Sequence, residues 1–454
     1  MPLVPRKVAI IGAGLSGLSA AIRLSEMEDP PEIHLFESLA HLGGRASSNW
    51  FPDENLLLDS AQHVTMNCCT EMLQFLLKTD LLRFWKLQPE MTFCVRQTGK
   101  KSGKLAFYPL RNSRVLPKPF HLLPSLWGLK FLTPVERFEL LGILRQIRHG
   151  SPPPGTSFRE WLEELFCPHR VAELYFGPVI LSAFSDQMES VSAQIAQSVF
   201  RQIFCGPRDA WQMWVPKVPL REIFDSALTP TLEKRGIRIH RQASVKRLFA
   251  DRLVLSTSET NEQTEFSFDA AILAVPWHRA GKILPELVTQ KTFNPDVFEP
   301  RTIASVHFFA DRELFPQENL VFPSETIQWL FKVPFLRGEH GFQALLSDSD
   351  RCVSTSSGAI EQIVHAELQM LFPEAVFSRF RVTRVPAAVF SCNAWMEHAR
   401  PTVLTPFPTV FLAGDWTATG LPASMESAVR SGNKAAEETR FFLENLPENA
   451  SKRA

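Results

Sequence analysis

Lys7-Val-Ala-Ile-Ile-Gly12-Ala-Gly14-Leu-Ser-Gly17, then Leu18-Ser-Ala-Ala-Ile-Arg-Leu24, then Glu32-Ile-His-Leu-Phe36-Glu37, decides the fold of this chain. The first apolar run is rich in β-branched residues and reads as a buried parallel strand. The stretch after Gly17 has helical periodicity, and Glu32 to Phe36 reads as a second strand. Strand, glycine turn, helix and strand make a βαβ unit. In such a unit Gly12 permits the tight turn, Gly14 lets a phosphate approach the backbone, and Gly17 lets helix and strand pack closely. The helix N-terminus offers free N–H groups and partial positive charge to a pyrophosphate. Glu37 lies 25 positions after Gly12, where an acid bonds adenosine ribose hydroxyls and disfavours a 2′-phosphate.

Two further stretches extend the site. His41-Leu-Gly43-Gly44-Arg45 follows the second strand and suits a loop that holds a dinucleotide phosphate by backbone and guanidinium. This extra anchor favours FAD over a diffusing nicotinamide. Near the other end, Thr409-Val-Phe-Leu-Ala413 is an apolar strand, followed by Gly414-Asp415 and a helix expected to begin near Pro422. Its small residues Ala428, Ser431, Gly432, Ala435 and Ala436 allow close packing. Between these ends, Gly236-Ile-Arg-Ile-His240, Ala243 to Leu248, a hairpin through Leu253 and Phe268, and Asp269 to Trp277 read as strands. The fold class is therefore α/β. A discontinuous Rossmann-like FAD-binding domain is expected from residues 1–67, 215–283 and 405–450. An α+β substrate domain with a mixed or antiparallel sheet is expected from 68–214 and 284–404.

The chain has 454 residues, long enough to bury a large core and a large ligand. Lys+Arg and Asp+Glu are both 48, so a chain-wide basic footprint for nucleic acid is absent. Seven Cys show no disulfide framework spacing, which predicts reduced thiols in a cytoplasmic protein. The twelve His show no helical pair beside a Glu, so no metal site is expected. Residues 1–8 lack the apolar core of a signal peptide, and no run of about 18 apolar residues suggests a membrane span. Phe outnumbers Tyr 36 to 2, which fits apolar surfaces needing no hydrogen-bond partner, or a bias of codon usage or lineage.

Residues 117–150 stand apart. Phe120, Leu122, Leu126, Trp127 and Phe131 are interrupted by Lys118 and Lys130, and 135–147 reads as an amphipathic helix with Arg137 and Arg145 on its polar side. This suits a membrane-interface element, which would make the protein peripheral on the inner membrane face. A helical cap on the substrate domain is the alternative. Residues 151–155 form a stiff linker, 158–204 read as helical, and strands at 303–309, 327–331 and 342–346 flank a helix at 359–371. Residues 448–454 are expected to fray.

These motifs resemble the FAD-dependent amine oxidase and phytoene desaturase superfamily, and within it the hydroxysqualene dehydroxylases of bacterial squalene and hopanoid biosynthesis. The resemblance is carried by Leu58-Asp-Ser-Ala-Gln-His-Val64, Val215-Pro-Lys-Val-Pro-Leu220, Ala274-Val-Pro-Trp277, Leu412-Ala-Gly-Asp-Trp-Thr-Ala-Thr-Gly-Leu-Pro-Ala423 and Glu426-Ser-Ala-Val-Arg-Ser-Gly432. The family pattern usually carries Gly where this chain has Ala61. The resemblance implies an FAD oxidoreductase of isoprenoid lipid metabolism that reductively removes the hydroxyl of hydroxysqualene, with an apolar isoprenoid as substrate and an electron donor that it leaves open. That chemistry needs a proton donor in a dry apolar site. His63, which the resemblance places near the flavin face, is the first candidate, with Asp186 and Glu426 behind it. Each has a plainer reading, as a packing His, a solvated loop acid and a helix-dipole acid. Expected cofactor contacts are Gly12, Ala13, Gly14, Ser16, Gly17, Glu37, Gly43, Gly44, Arg45, Gln62, Val245, Gly414, Asp415 and Met425. Trp277, His278 and Trp416 would wall the flavin pocket or pack in the core. A carotenoid-type desaturase shares every motif and differs in redox direction. An amine oxidase would favour a Tyr cage, whereas only Tyr108 and Tyr175 exist here. A flavin-free lipid carrier is opposed by Glu37, Gly43-Gly44-Arg45 and Gly414-Asp415 together.

Overall fold

The computed structural model describes residues 6–97, 104–118, 120–257, 263–333, 340–348 and 353–446. Residues 258–262 of the expected hairpin and the tail 448–454 lie outside these.

The opening strand Lys7–Ile11 is central in a five-stranded, wholly parallel sheet. Its neighbours are Glu32–Phe36 on one side and Ala270–Leu273 on the other; Arg238–His240 and Val410–Leu412 form the edges. Val8, Ala9 and Ile10 are fully buried, as strands covered on both faces require. Gly12 turns the chain out of this strand with φ +102°, a region that side chains disfavour, and a Cβ there would stand 2.6 Å from the Ala274 carbonyl oxygen.

Helix Leu15–Leu24 follows at once and is buried along nearly its whole length. It lies against the sheet and against the last helix, Met425–Glu444. The small-residue stripe makes that second contact possible. A Cβ on Gly432 would sit 2.1 Å from the Ser16 carbonyl oxygen, and Ser19 Oγ donates to Val429 O at 3.2 Å. One expectation needs correcting. The last helix begins at Met425, capped by Ser424 Oγ accepting from Ser427 N at 3.2 Å, and not at Pro422. A hydroxyl that can reach a free amide sets the start, whereas Pro422 tolerates a helix start without supplying a cap.

The other large sheet has seven strands in the order 377–390, 300–310, 340–346, 329–332, 319–321, 91–96, 105–110. Most pairs are antiparallel, and Val321 pairs parallel with Phe93, so the sheet is mixed. Helix Ser357–Leu371 covers one face, burying Ile360, Val364 and Leu368. The 158–204 stretch is helical in pieces, with two π-helical segments, Ala172–Phe176 and Arg201–Cys205. Among the described residues no helix is long and apolar enough to cross a membrane.

Candidate functional site: a dinucleotide cradle facing an apolar compartment

The strands at 7–11, 32–36 and 410–412 run parallel and lead into Gly12, Glu37 and the Gly414-Asp415 turn, so one edge of the sheet collects all three motifs. Ligands of open α/β sheets bind at that carboxyl edge. Glu37 is buried, and its carboxylate accepts from Ala13 N at 2.9 Å, Leu39 N at 2.9 Å and Ser38 Oγ at 3.1 Å. The acid is thereby fixed beside the first glycine turn. Ala243 N donates to Glu37 O at 2.8 Å, which brings the strand carrying Val245 alongside.

The two glycine loops meet directly. Gly43 N donates to Ala13 O at 2.9 Å, and a Cβ on Gly44 would come within 3.0 Å of Gly14 Cα. Side chains would fill this cradle, so its bare backbone amides fit a pyrophosphate. Arg45 then joins the ends of the chain. Its guanidinium holds Asp415 Oδ1 at 2.6 Å and Ala388 O at 2.8 Å, and lies 5.9 Å from the Trp277 ring. Gly414 N is held by Ser431 Oγ at 2.8 Å. Met425 opens the last helix, and Ser16 is buried in the second residue of the first.

A residue that sequence reasoning missed holds this turn in place. Arg400 has no exposed side-chain surface. It donates to Asp415 O at 2.7 Å, Leu421 O at 2.7 Å and Thr419 Oγ1 at 3.0 Å, and pairs with Glu397 at 2.9 Å. Arg400 therefore ties the 415–421 loop to the short helix Ala394–Ala399. Its only sequence signal is an arginine between a short capped helix and Pro401, which does not reveal burial.

His63 lies on the loop that leaves strand Leu56–Asp59 and packs toward the seven-stranded sheet, where Ala61 clusters with Val215, Phe331 and Leu345. A buried polar group anchors this loop. Ser305 Oγ and Thr383 Oγ1 both donate to Ser60 O, at 3.2 and 2.8 Å, and Gln343 Nε2 reaches Ser305 Oγ at 3.0 Å. His63 Nδ1 lies 2.9 Å from Ala61 O. A carbonyl only accepts, so Nδ1 carries the hydrogen and Nε2 of the neutral ring carries the lone pair. Burial lowers the His63 pKa from 6.5, the Ala61 bond opposes this, and the nearby Arg45 charge lowers it further. Gln62 turns its amide to His63 O at 3.4 Å.

The other acid candidates are engaged elsewhere. Asp186 is buried, accepts from Ser391 Oγ at 2.6 Å and lies 3.0 Å from Arg301 Nε, so it is not the solvated loop acid of the plainer reading. Its partners knit the helical segment to the sheet. Glu426 accepts from Met72 N at 2.8 Å and Glu71 N at 3.3 Å, capping helix Thr70–Lys78, and pairs with Arg430 at 3.2 Å. Burial raises its pKa against the lowering effect of those amides. Asp59, at the end of strand Leu56–Asp59, is a buried acid. Burial pushes its carboxyl up to about 7, although Ser48 Oγ and Leu220 N donate to it at 2.6 and 2.9 Å.

Trp416 and Trp277 are core residues. Trp416 is fully buried with its indole N–H on Val275 O at 2.9 Å, and Trp277 packs on Phe298 and Phe390. His278 is exposed. The rings of Trp277, Phe298, Phe390 and Trp416 make a buried aromatic cluster next to Arg45. A separate cleft of about 730 Å³ lies between the 159–189 helices and residues 322–328. Its lining mixes Arg159, Glu163, Glu173, Glu189 and Glu325 with Leu181, Met188 and Phe322. Among the described residues no group of His, Cys, Asp and Glu is arranged to hold a metal ion.

Comparison with known proteins agrees with this geometry. The chain is 25% identical over 448 residues to a hydroxysqualene dehydroxylase of Sinorhizobium fredii, covering 96% of this chain and 98% of that one. It is 23% identical over 473 residues to a 15-cis-phytoene desaturase of Glycine max, covering 96% of this chain and 80% of that one. An oxidoreductase from Methanosarcina mazei shares the fold, with a TM-score of 0.72 at 18% identity, over 95% of this chain and 100% of that one. The family of flavin containing amine oxidoreductases matches residues 15–439. The protein is thus a flavin-dependent oxidoreductase, and the chain belongs to the flavin containing amine oxidoreductase family.

Proposed function

We propose that the chain binds FAD and reductively dehydroxylates hydroxysqualene to squalene. The observation that carries this reading is that Arg45 links the dinucleotide cradle, through Asp415, to the buried aromatic cluster around Trp277. Glu37 would hold the adenosine ribose. The glycine loops and Arg45 would hold the pyrophosphate, and the Gly414-Asp415 turn with the last helix would face the flavin. When bound, reduced FAD supplies the hydride. The hydroxyl leaves as water with one proton, and hydride takes its place on carbon, so atoms and charge balance.

This chain's residues do the rest. Trp277, Phe298, Phe390 and Trp416 pack into a dry core beside Arg45, which would keep bulk water off that side of a carbon that becomes electron-poor as the hydroxyl departs. Substrate binding comes mostly from apolar burial, about 25 cal/mol per Å². His63, protonated at Nε2, gives the proton. Its depressed pKa makes this form scarce at neutral pH, so turnover should rise as pH falls through a value below 6.5. His63→Ala should lower turnover by about 100-fold or more and remove that limb of the pH profile. An apolar substrate of this size resides in a bilayer, which gives the chain a reason to work at a membrane surface.

The test is anaerobic. The purified protein is photoreduced and mixed with hydroxysqualene while flavin absorbance and product mass are followed. Flavin bands that return together with squalene are the expected result. A protein that stays reduced with hydroxysqualene, yet whose oxidised form is bleached by a polyene precursor, would be a desaturase instead. The Glycine max relative favours that second reading. The amine oxidase reading has less behind it, because both tyrosines sit in a Phe-rich cluster with Phe93 and Phe131.

A further inference from the structure

The stretch 107–149 leaves large apolar side chains in solvent. Phe138 is 73% exposed, Val135 66%, Phe120 54% and Trp127 47%. Val135 and Phe138 share a face of helix Pro134–His149, and Trp127 lies beside its start. Arg137 packs 5.2 Å over the Trp127 ring, so the start of helix Pro134–His149 lies against the end of helix Leu123–Trp127. Ser125 Oγ bonds both Arg111 N and Arg111 O, at 2.9 and 2.8 Å, which ties these helices to strand Leu105–Leu110. The long helix turns Leu140, Ile143 and Ile147 inward, while Val135 and Phe138 stay outside one turn apart.

Charge tells what covers this surface. The whole chain is neutral, yet residues 107–149 carry seven Lys and Arg against two acids, Glu136 and Glu139. Glu136 is already held by Arg170 at 3.0 Å and by Thr133. Lys118 and Lys130 are exposed and flank Phe120 and Trp127. Arg111 pairs with Glu90 and Glu139 is exposed beside Phe138, so the stretch keeps a net positive charge, and apolar side chains with a Trp beside exposed Lys118 and Lys130 match the interface of an anionic phospholipid bilayer.

We infer that this surface docks the protein on an anionic membrane. Phe120, Trp127, Val135 and Phe138 enter the headgroup boundary, and Lys118 and Lys130 meet lipid phosphates. Behind the surface an aromatic run leads inward. Half-buried Tyr108 and Phe131 stand 5.3 Å apart, Phe131 lies 6.1 Å from Phe93, and Phe93 lies 6.4 Å from buried Tyr175. Docking stands apart from the reaction; the use of this run as a lipid entry rests on the isoprenoid reading above.

Flavin-loaded full chain is sedimented with vesicles of phosphatidylcholine, with and without phosphatidylglycerol, in the absence of substrate. Wild type should pellet with the anionic vesicles, more weakly with neutral ones, and less as salt rises. Trp127→Ala/Phe138→Ser and Lys118→Glu/Lys130→Glu should each weaken anionic binding by about tenfold or more, with melting temperature and flavin spectrum unchanged. Wild type that stays in solution, or variants that bind as well as wild type, would overturn the inference. So would a wild-type dimer that Trp127→Ala/Phe138→Ser makes monomeric in light scattering, since a second copy would then cover the surface. A chain that pellets as expected but leaves hydroxysqualene unchanged would keep the docking surface and lose the proposed reaction.

Discussion

The dinucleotide cradle and the apolar core follow opposite rules. In the cradle, the carboxylates of Glu37 and Asp415 and the guanidinium of Arg45 all have partners within the chain. Elsewhere, in the helical segments and the seven-stranded sheet, the Tyr175 hydroxyl and both ring nitrogens of His307 and His121 are buried without a hydrogen-bond partner. Burial alone holds His307 at about 3, so it stays neutral. A site for a fixed, charged cofactor is prebuilt from backbone amides and paired charges. The apolar core is built from rings, and these few polar atoms within it go unanswered. The two halves should therefore break differently when altered.

The largest effect belongs to Arg400. Arg400→Ala removes a buried cation from Glu397 and frees the 415–421 loop, so the protein should lose about 3–5 kcal/mol together with its visible flavin absorbance. Urea unfolding with the spectrum read in parallel checks this; flavin retained at full stoichiometry would detach Arg400 from the cradle. Gly17→Ala places a Cβ 1.9 Å from Gly12 O, and a cost of about 3 kcal/mol with weaker flavin retention is expected in the same assay.

Asp59 lies between the halves, and its effect is a slope. A carboxyl raised from 3.8 to about 7 on folding binds a proton more tightly in the folded protein than in the unfolded one. Its contribution is fully present below about pH 4 and is lost as pH rises to about 7, on the order of a few kcal/mol. Asp59→Asn should flatten the fall of melting temperature over that window. An unchanged slope would mean that Asp59 is ionised throughout. The smallest effect is at Glu426. Glu426→Ala removes the cap of helix Thr70–Lys78 and should cost about 1 kcal/mol while turnover per bound flavin holds. A collapse of turnover without loss of stability would return Glu426 to catalysis.

The same contrast explains what could be read in the sequence. Gly12, Gly17, Glu37 and the 43–45 loop answer local backbone demands, so their spacing places strand, turn and helix before any tertiary contact is known. The start of the last helix was misread because Pro422 and Ser424 both favour helix starts, and only the Ser424–Ser427 bond separates them. Asp59 meets Leu220 from 161 positions away, and Ser305 and Thr383 reach Ser60 from 245 and 323 positions away, whereas Arg400 finds its partners within 21 positions on a loop whose path local sequence does not set. A polar residue in a strand announces itself, but its partner does not. Asp186 shows the limit most plainly: its order in the chain places it beside a helix end, while its meaning comes from Ser391 and Arg301.

The bridge from Arg45 to Asp415 spans 370 positions. During synthesis the first glycine loop leaves the ribosome early and waits. The strand Val410–Leu412 and the helix Met425–Glu444, which close the sheet edge and bury the first helix, emerge last. Until then the cradle has a floor and no far wall. A chain ending before residue 410 would carry every amino-terminal motif and still lack the Asp415 partner of Arg45.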